Sequence, residues 1–270
     1  MKIIHFSDPH AGGAAEDIGA YFDKRFVGVF NYRFRRRFRH DLSLLEKAVE
    51  YILDIRPDVV VCTGDLTSTG QPGEFEKVRP ILTPLRDSGI PFFYMPGNHD
   101  CYVPRRKCVE AVKDMVFYLS CGEWNFADFP LLKRVKNCEF LLVNNSRPTN
   151  LFCSWGFVTR NDLAFVESVV EQKKCGPRII LGHFPLYENH PILRFRHRLY
   201  GQKKIVEWIR EGKIDLSLCG HVHRPYLILD ENGRGENCAG SVTCNGSMTE
   251  INVDEHTGNF QFKTIALTEN

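Results

Sequence analysis

No two of the ten cysteines form a C-x-x-C pair, neither sign of charge dominates, and no apolar run approaches the ~20 residues of a membrane span. Each absence excludes something. Without paired cysteines, a thiolate zinc site or a disulfide framework is not expected. Cys62 and Cys219 sit inside apolar runs, so the expectation is reduced, buried, small hydrophobes. A formal net charge of +2 argues against a general nucleic-acid binder, so any attraction to anions must be local. A leader is not readable either. Lys2 to Phe6 starts a strand at once, and Asp8 follows too soon for a signal peptide's apolar core. A soluble, cytoplasmic chain is expected, with any membrane contact peripheral. Repeats and low-complexity linkers are also missing. With 43% hydrophobic residues in 270, there is enough apolar chain for one large core. One domain over 1–270 is expected, its β-rich end, 225–270, folded back on the rest.

What is present is a series of apolar runs that end on polar clusters. Residues 2–7 read as a strand buried on both faces, ending in Ser7-Asp8-Pro9-His10. Positions two apart share a face in extended chain, so Asp8 and His10 are expected to reach one point. Val59 to Cys62 is a second buried strand, ending at Thr63-Gly64-Asp65. Pro91 to Tyr94 leads into Met95-Pro96-Gly97-Asn98-His99-Asp100. Arg178 to Leu181 ends at Gly182-His183, and Asp215 to Cys219 at Gly220-His221-Val222-His223.

Helical spacing fills the gaps between these strands. It predicts helices over 41–55 with Asp41 as cap, 74–88 with Pro80 and Pro84 as breaks or kinks, 105–120, 162–174, and one ending at Arg210. Residues 126–135 read as irregular strand and 140–143 as a clear one. The latter stops at Asn144-Asn145-Ser146, expected to line the site. After Pro225 the helices are expected to stop, and 226–229, 242–244, 251–253 and 260–266 read as strands between Gly and Asn turns.

Strands alternating with helices build a largely parallel sheet, and ligands gather at the carboxyl ends of its strands. Asp8, His10, Asp65, Asn98, His183, His221 and His223 supply seven oxygen or nitrogen donors there and no thiolate. Mixed imidazole and carboxylate suits Mn²⁺, Fe or Zn²⁺, and suits Ca²⁺ poorly. Seven donors are too many for one open site and fit two ions if a carboxylate bridges. Asp65 is the natural bridge, because Gly64 lets the backbone turn tightly beside it. Two such ions clamp a phosphoryl group and activate water at neutral pH. His99 is left over as a proton donor or stabiliser of the leaving oxygen, with Asp100 expected to orient its ring. Isolated histidines, His5, His40, His190, His197 and His256, read as surface or satisfied core.

One segment fits none of this. Tyr21 to His40 carries seven Lys/Arg between Lys24 and Arg39, interleaved with Phe22, Phe26, Phe30, Tyr32, Phe34 and Phe38. It reads as a surface helix or helical hairpin whose aromatics dock on the body. The functional alternative is a basic lid within an insert spanning 12–40, or a patch that meets an anionic partner, including a peripheral membrane contact. A second basic-aromatic stretch runs from Arg194 to Lys204.

Taken as a set, Asp8-x-His10, Gly64-Asp65, Gly97-Asn98-His99-Asp100, Gly182-His183 and Gly220-His221-x-His223 resemble the calcineurin-like metallophosphoesterase signature. The resemblance implies an α/β four-layer αββα sandwich with a dinuclear metal centre. It implies that Asp8, His10, Asp65 and His223 hold one divalent ion, that Asp65, Asn98, His183 and His221 hold the other, and that His99 is catalytic. Gly64 to Gly70 with Glu74-Phe75 further resembles the bacterial cyclic-nucleotide-phosphodiesterase-like branch, which implies a small phosphodiester substrate. The long insert is also similar to the lid of UDP-diacylglucosamine-type lipid-precursor pyrophosphatases, although those carry Arg at the position of His99. A nuclease and a non-catalytic scaffold are the remaining readings. Near-neutral charge counts against the first, and the complete donor set against the second.

Overall fold

The computed structural model describes residues 1–150, 153–187, 197–254 and 257–268. Two mixed sheets face each other with helices outside them. In the first, Lys2–Phe6 (β1), Val59–Cys62 (β2) and Phe92–Tyr94 (β3) run parallel. Ser247–Val253 (β12) pairs antiparallel with β1, and Phe260–Ala266 (β13) forms the edge. In the second, Cys138–Leu142 (β5), Arg178–Leu181 (β7), Leu216–Cys219 (β9) and Gly235–Cys238 (β11) are parallel. Leu131–Val135 (β4) and Tyr226–Leu229 (β10) form antiparallel edges. Gly156–Phe157 (β6) and Leu199–Tyr200 (β8) make a small separate pair. The expected four-layer sandwich is what forms.

Alternation along the second sheet shows why. Phe140, Leu142, Ile179, Leu181, Leu216 and Leu218 point into the core shared with the first sheet. Leu141, Val143 and Ile180 point the other way, onto Val166, Val169, Ile205, Trp208 and Ile209. Those last residues come from Arg160–Val170 (α5) and Gln202–Arg210 (α6). Ser43–Ile55 (α2) and Pro72–Asp87 (α3) bring Leu45, Val49, Ile52, Phe75, Val78, Leu82 and Leu85 to the main core. Each such buried side chain contributes about 1.5–3 kcal/mol, so both faces of the strands are held and their carboxyl ends are fixed in space.

Three local expectations change. First, α3 is continuous through Pro80 and Pro84. The two prolines lie four apart on its exposed side. The carbonyls that lose a helical donor to them, those of Glu76 and Pro80, therefore belong to exposed residues and can meet solvent. Second, 242–244 is one turn of helix, Val242–Asn245 (α7), not a strand. The Ser241 hydroxyl caps it from Cys244 N, and Gly246 ends it in the left-handed region at φ 61°. Third, 126–135 divides into a 3₁₀ turn, Phe126–Asp128, and β4. Arg106–Leu119 (α4) lies close to its predicted bounds.

The Tyr21–His40 segment is helical: a 3₁₀ turn at Ile18–Tyr21, Arg25–Phe34 (α1), then a 3₁₀ turn at Arg36–Phe38. Its phenylalanines do not dock on the body; Phe22, Phe26, Phe30, Phe34 and Phe38 are all exposed. What seats the segment is its opposite side. A Cβ on Gly28 would strike the Thr69 side chain and the Tyr102 ring, so only glycine lets α1 approach this closely. Arg25, itself buried, pairs with Asp17 at 2.8 Å and Asp23 at 2.9 Å and fixes the segment's start.

Candidate metal centre

The carboxyl ends of β1, β2, β3, β7 and β9 meet between the two sheets, and all seven predicted donors are there. One ligand atom from each of Asp8, His10, Asp65 and His223 lies within 4.8 Å of all the others, and the same holds for Asp65, His183 and His221. Asn98 joins the second group, its Oδ1 standing 3.0 Å from His183 Nε2 and 2.8 Å from His221 Nδ1. Asp65 belongs to both. Its Oδ2 is 3.5 Å from His10 Nε2 and 3.4 Å from His183 Nε2.

The chain pays for this convergence with backbone strain. Asp8, His10, Asp65, His221 and His223 all have positive φ, between 52° and 71°. Among the described residues only three other non-glycine residues do: Arg56, Cys121 and Lys136. Such conformations persist where surroundings over-determine them. Thus Asp8 and His10 reach one point through two left-handed residues, not through extended chain as expected. The short α7 braces that turn from behind, Ser241 Oγ donating to Asp8 O at 2.7 Å and Thr243 Oγ1 to Pro9 O at 2.8 Å. Gly97 has no room for a Cβ, which would fall on Asp65.

Hydrogen bonds behind the donors fix which nitrogen faces inward. His10 Nδ1 is 3.1 Å from Thr67 O and His183 Nδ1 is 2.7 Å from Thr63 O. A carbonyl only accepts, so each Nδ1 carries the proton and each Nε2 turns to the site. His183 is also held by Asn145, whose Oδ1 accepts from His183 N at 3.1 Å, as the Asn144–Ser146 expectation required.

Do these residues fit metal ions? Asp8 Oδ1, Asp65 Oδ2 and Asn98 Nδ2 are buried without a hydrogen-bond partner. The inward atoms of His10 and His223 lie 2.7 Å apart, with Asp8 Oδ1 3.2 Å from the second. Carboxylate oxygens and imidazole lone pairs crowded together and left unpaired are what a cation resolves, so the donor set fits.

Protonation follows burial first. It pulls His10, His99 and His221 well below the ordinary imidazole range, with Arg36 adding to the effect at His10 and His99 and His183 at His221. His183 goes the other way. Burial lowers it, but the Asp65 and Asp8 carboxylates outweigh burial and push it up to about 9. Burial also raises Asp8, yet His10 and His223 hold it well below the usual carboxylate range.

His99 sits at the edge of the site, and Asp100 does not orient it. Asp100 is buried and accepts from Leu66 N, Thr67 N, Thr67 Oγ1, Gly97 N and the Tyr94 hydroxyl, so it ties the loops after β2 and β3 together. The partner of the His99 ring is Ser68, whose carbonyl is 2.7 Å from Nδ1. Tyr102 stacks on the ring at 5.0 Å and 17°.

Three residues that sequence reasoning missed also belong here. Arg36, half-buried, points Nη2 at His99 Nε2 (3.0 Å) and Nη1 at His10 Nδ1 (3.3 Å). His40 packs edge-on against His10 with centroids 4.9 Å apart, and His197 Nδ1 stands 2.6 Å from His221 Nε2. Gly28, Tyr32, Arg36 and His40 recur every four residues, and that inward ladder was the available signal. By contrast His5 is satisfied core, bonded to Asn237 and Thr63. His190, His256 and residues 194–196 of the Arg194–Lys204 stretch lie outside the described residues; the rest of that stretch forms β8 and the start of α6.

Comparison with known proteins agrees with this geometry. The sequence profile of the calcineurin-like phosphoesterase family matches residues 1–225. The chain belongs to that family. A 3',5'-cyclic-nucleotide phosphodiesterase of Nostoc sp. is 25% identical over 177 residues, covering 64% of this chain and 59% of the relative. A glycerophosphodiester phosphodiesterase of Enterobacter lignolyticus is 44% identical over 135 residues, covering 48% and 42%. The chain thus spans about half the length of the curated relatives it matches. Two solved structures share the fold at low identity. A dimetal phosphatase from Danio rerio superposes with TM-score 0.67 at 14% identity, over 99% of both chains. A purple acid phosphatase from yellow lupin superposes with TM-score 0.64 at 15%, over 99% of this chain and 51% of that one.

Proposed function

We propose that this chain is a dinuclear metal-dependent phosphohydrolase that cleaves a phosphodiester or phosphoanhydride bond. The observation that carries the reading is the position of Asp65, whose Oδ2 faces both donor groups and has no hydrogen-bond partner. Asp8, His10, Asp65 and His223 would hold one ion, and Asp65, Asn98, His183 and His221 a second; Mn²⁺ or Fe suits these donors best, with Zn²⁺ also compatible. When bound there, such a pair supplies Lewis-acid activation of water and of the phosphoryl group.

The chain's own residues do the rest. Arg36 offers a planar guanidinium to a phosphate oxygen at the edge of the site. A phosphate seated there adds negative charge beside His99, which favours its protonated form and opposes the effect of burial and Arg36. With Arg36 turned from His99 Nε2 to the phosphate, His99, held at Nδ1 by Ser68, then presents Nε2–H to the leaving oxygen. Tyr102 keeps the ring in that plane.

Small phosphodiesters are the first substrate class, supported by the names of the relatives. A lipid-linked pyrophosphate is the second, supported by the aromatic outer side of the insert. Mn²⁺-loaded protein should hydrolyse a bis-aryl phosphodiester. Asp65→Asn should lose both metal and turnover. His99→Ala should keep its metal and slow by about 10²–10⁴-fold. Full activity in Asp65→Asn would sink the bridging role, and metal loss in His99→Ala would make that residue a ligand. Cyclic nucleotides, nucleoside-diphosphate lipids and single-stranded DNA then distinguish substrate classes.

A further inference from the structure

The segment from Ile18 to Arg39 has two sides, and only one is used by the site. Inward, Gly28 is buried against Thr69 and Tyr102, and Arg36 reaches His99 and His10. Outward, Phe22, Phe26, Phe30, Phe34 and Phe38 repeat every four residues and are 83%, 50%, 54%, 59% and 71% exposed. Ile18 at 79% and Tyr21 at 58% extend the same surface. Contiguous exposed rings on this scale mark an interaction surface.

Charge identifies the partner. Arg33, Arg35, Arg37 and Arg39 are exposed among the rings, and no acidic residue occurs from Lys24 to His40. None of the four takes part in an ion pair among the described residues. By contrast the buried Arg25 has two carboxylates, Asp17 and Asp23. A second copy docked through this face about a two-fold axis would bring arginine against arginine. Duplex nucleic acid would meet the charges but offers the outward row of phenylalanines no apolar groove, and single strands, whose bases can stack on rings, are set against vesicles in the test below. Rings that bury while flanking arginines keep their heads at a phosphate-rich boundary are what an interfacial helix presents to a bilayer. We propose that residues 18–39 dock this chain onto an anionic lipid surface. The docking requires no catalysis. Its consequence for substrate rests on the function proposed above: α1 is one helix thick, about 10 Å, so the Arg36 end of the site lies close to the headgroup layer and a phosphorylated headgroup is within its reach.

Flotation of the full chain with vesicles tests this. Binding is expected to vesicles of phosphatidylcholine with about 30 mol% phosphatidylglycerol, not to phosphatidylcholine alone, and about 0.5 M NaCl should release it. The triple variant Phe26→Ser, Phe30→Ser, Phe34→Ser should bind at least about tenfold more weakly. The variant Arg33→Gln, Arg35→Gln, Arg37→Gln, which keeps every ring, should do the same and serves if the first fails to fold. His99→Ala should float like the parent protein. No flotation with anionic vesicles overturns the proposal. So does wild-type binding by both variants, a dimer in light scattering that the serine variant abolishes while vesicles go unbound, or a preference for single-stranded DNA over vesicles. Turnover of a soluble phosphodiester is read in parallel, so failure of docking is separable from failure of the proposed activity.

Discussion

His183 shows how a single residue couples the site's charge to its ligands. Its ring is buried between Asp65 and Asn98, and the carboxylates push its pKa up to about 9. Below that pH the metal-free ring is an imidazolium, and a metal must displace its proton to use Nε2. Apparent metal affinity should therefore rise with pH up to about 9 and then level. Calorimetric titration of metal at pH 7.5 in buffers of different ionisation enthalpy should report close to one proton released as the site that contains His183 fills. A proton count of zero at that pH would contradict the charge assigned to His183. The same scale shows what the sequence could not say. All seven donors were legible, because each closes an apolar run. The orienting partner of His99 was not: adjacency pointed to Asp100, but that carboxylate accepts from the amides of Leu66, Thr67 and Gly97, and the Ser68 carbonyl, thirty-one positions away, takes its place.

At the scale of elements, α1 is the part whose role depends on packing that pattern alone does not disclose. Its aromatic residues read as the docking face, since rings are usually buried. The docking face is instead the inward ladder of Gly28, Tyr32, Arg36 and His40, and the phenylalanine rings point to water. Strand alternation was easier to read, because period two leaves only two faces and both are apolar here. The one-turn helix at Val242–Asn245 was missed for the opposite reason: four residues are too few to show a helical period, and only the Ser241 cap and Gly246 mark it. If α1 holds Arg36 over the site, unseating it should disarm the site without emptying it. Gly28→Val, which drives side-chain atoms into Thr69 and Tyr102, should cost roughly 1–3 kcal/mol of local packing. It should lower kcat/KM at least about tenfold, with metal content unchanged. Wild-type kinetics in that variant would show that the insert's seating does not matter to turnover.

Across the whole molecule, the site is a junction between the two sheets. Asp8, Asp65 and Asn98 come from the first, His183, His221 and His223 from the second. Without a cation, crowded carboxylates and lone pairs face one another across that junction. Metal binds the folded arrangement and not the open chain, so it should stabilise the whole fold by about 3–4 kcal/mol at 100–1,000 times its dissociation constant. Chelation should accordingly lower the unfolding temperature by several degrees, reversibly on adding Mn²⁺. An unfolding temperature indifferent to metal would mean that the sheets are not joined through the site.

Anomalous diffraction from Mn²⁺-loaded crystals tests the central claim most directly. Two peaks are predicted, one among Asp8, His10 and His223 and one among Asn98, His183 and His221, with Asp65 Oδ2 ligating both. A single peak at saturating metal, or two peaks that do not share Asp65, would contradict it.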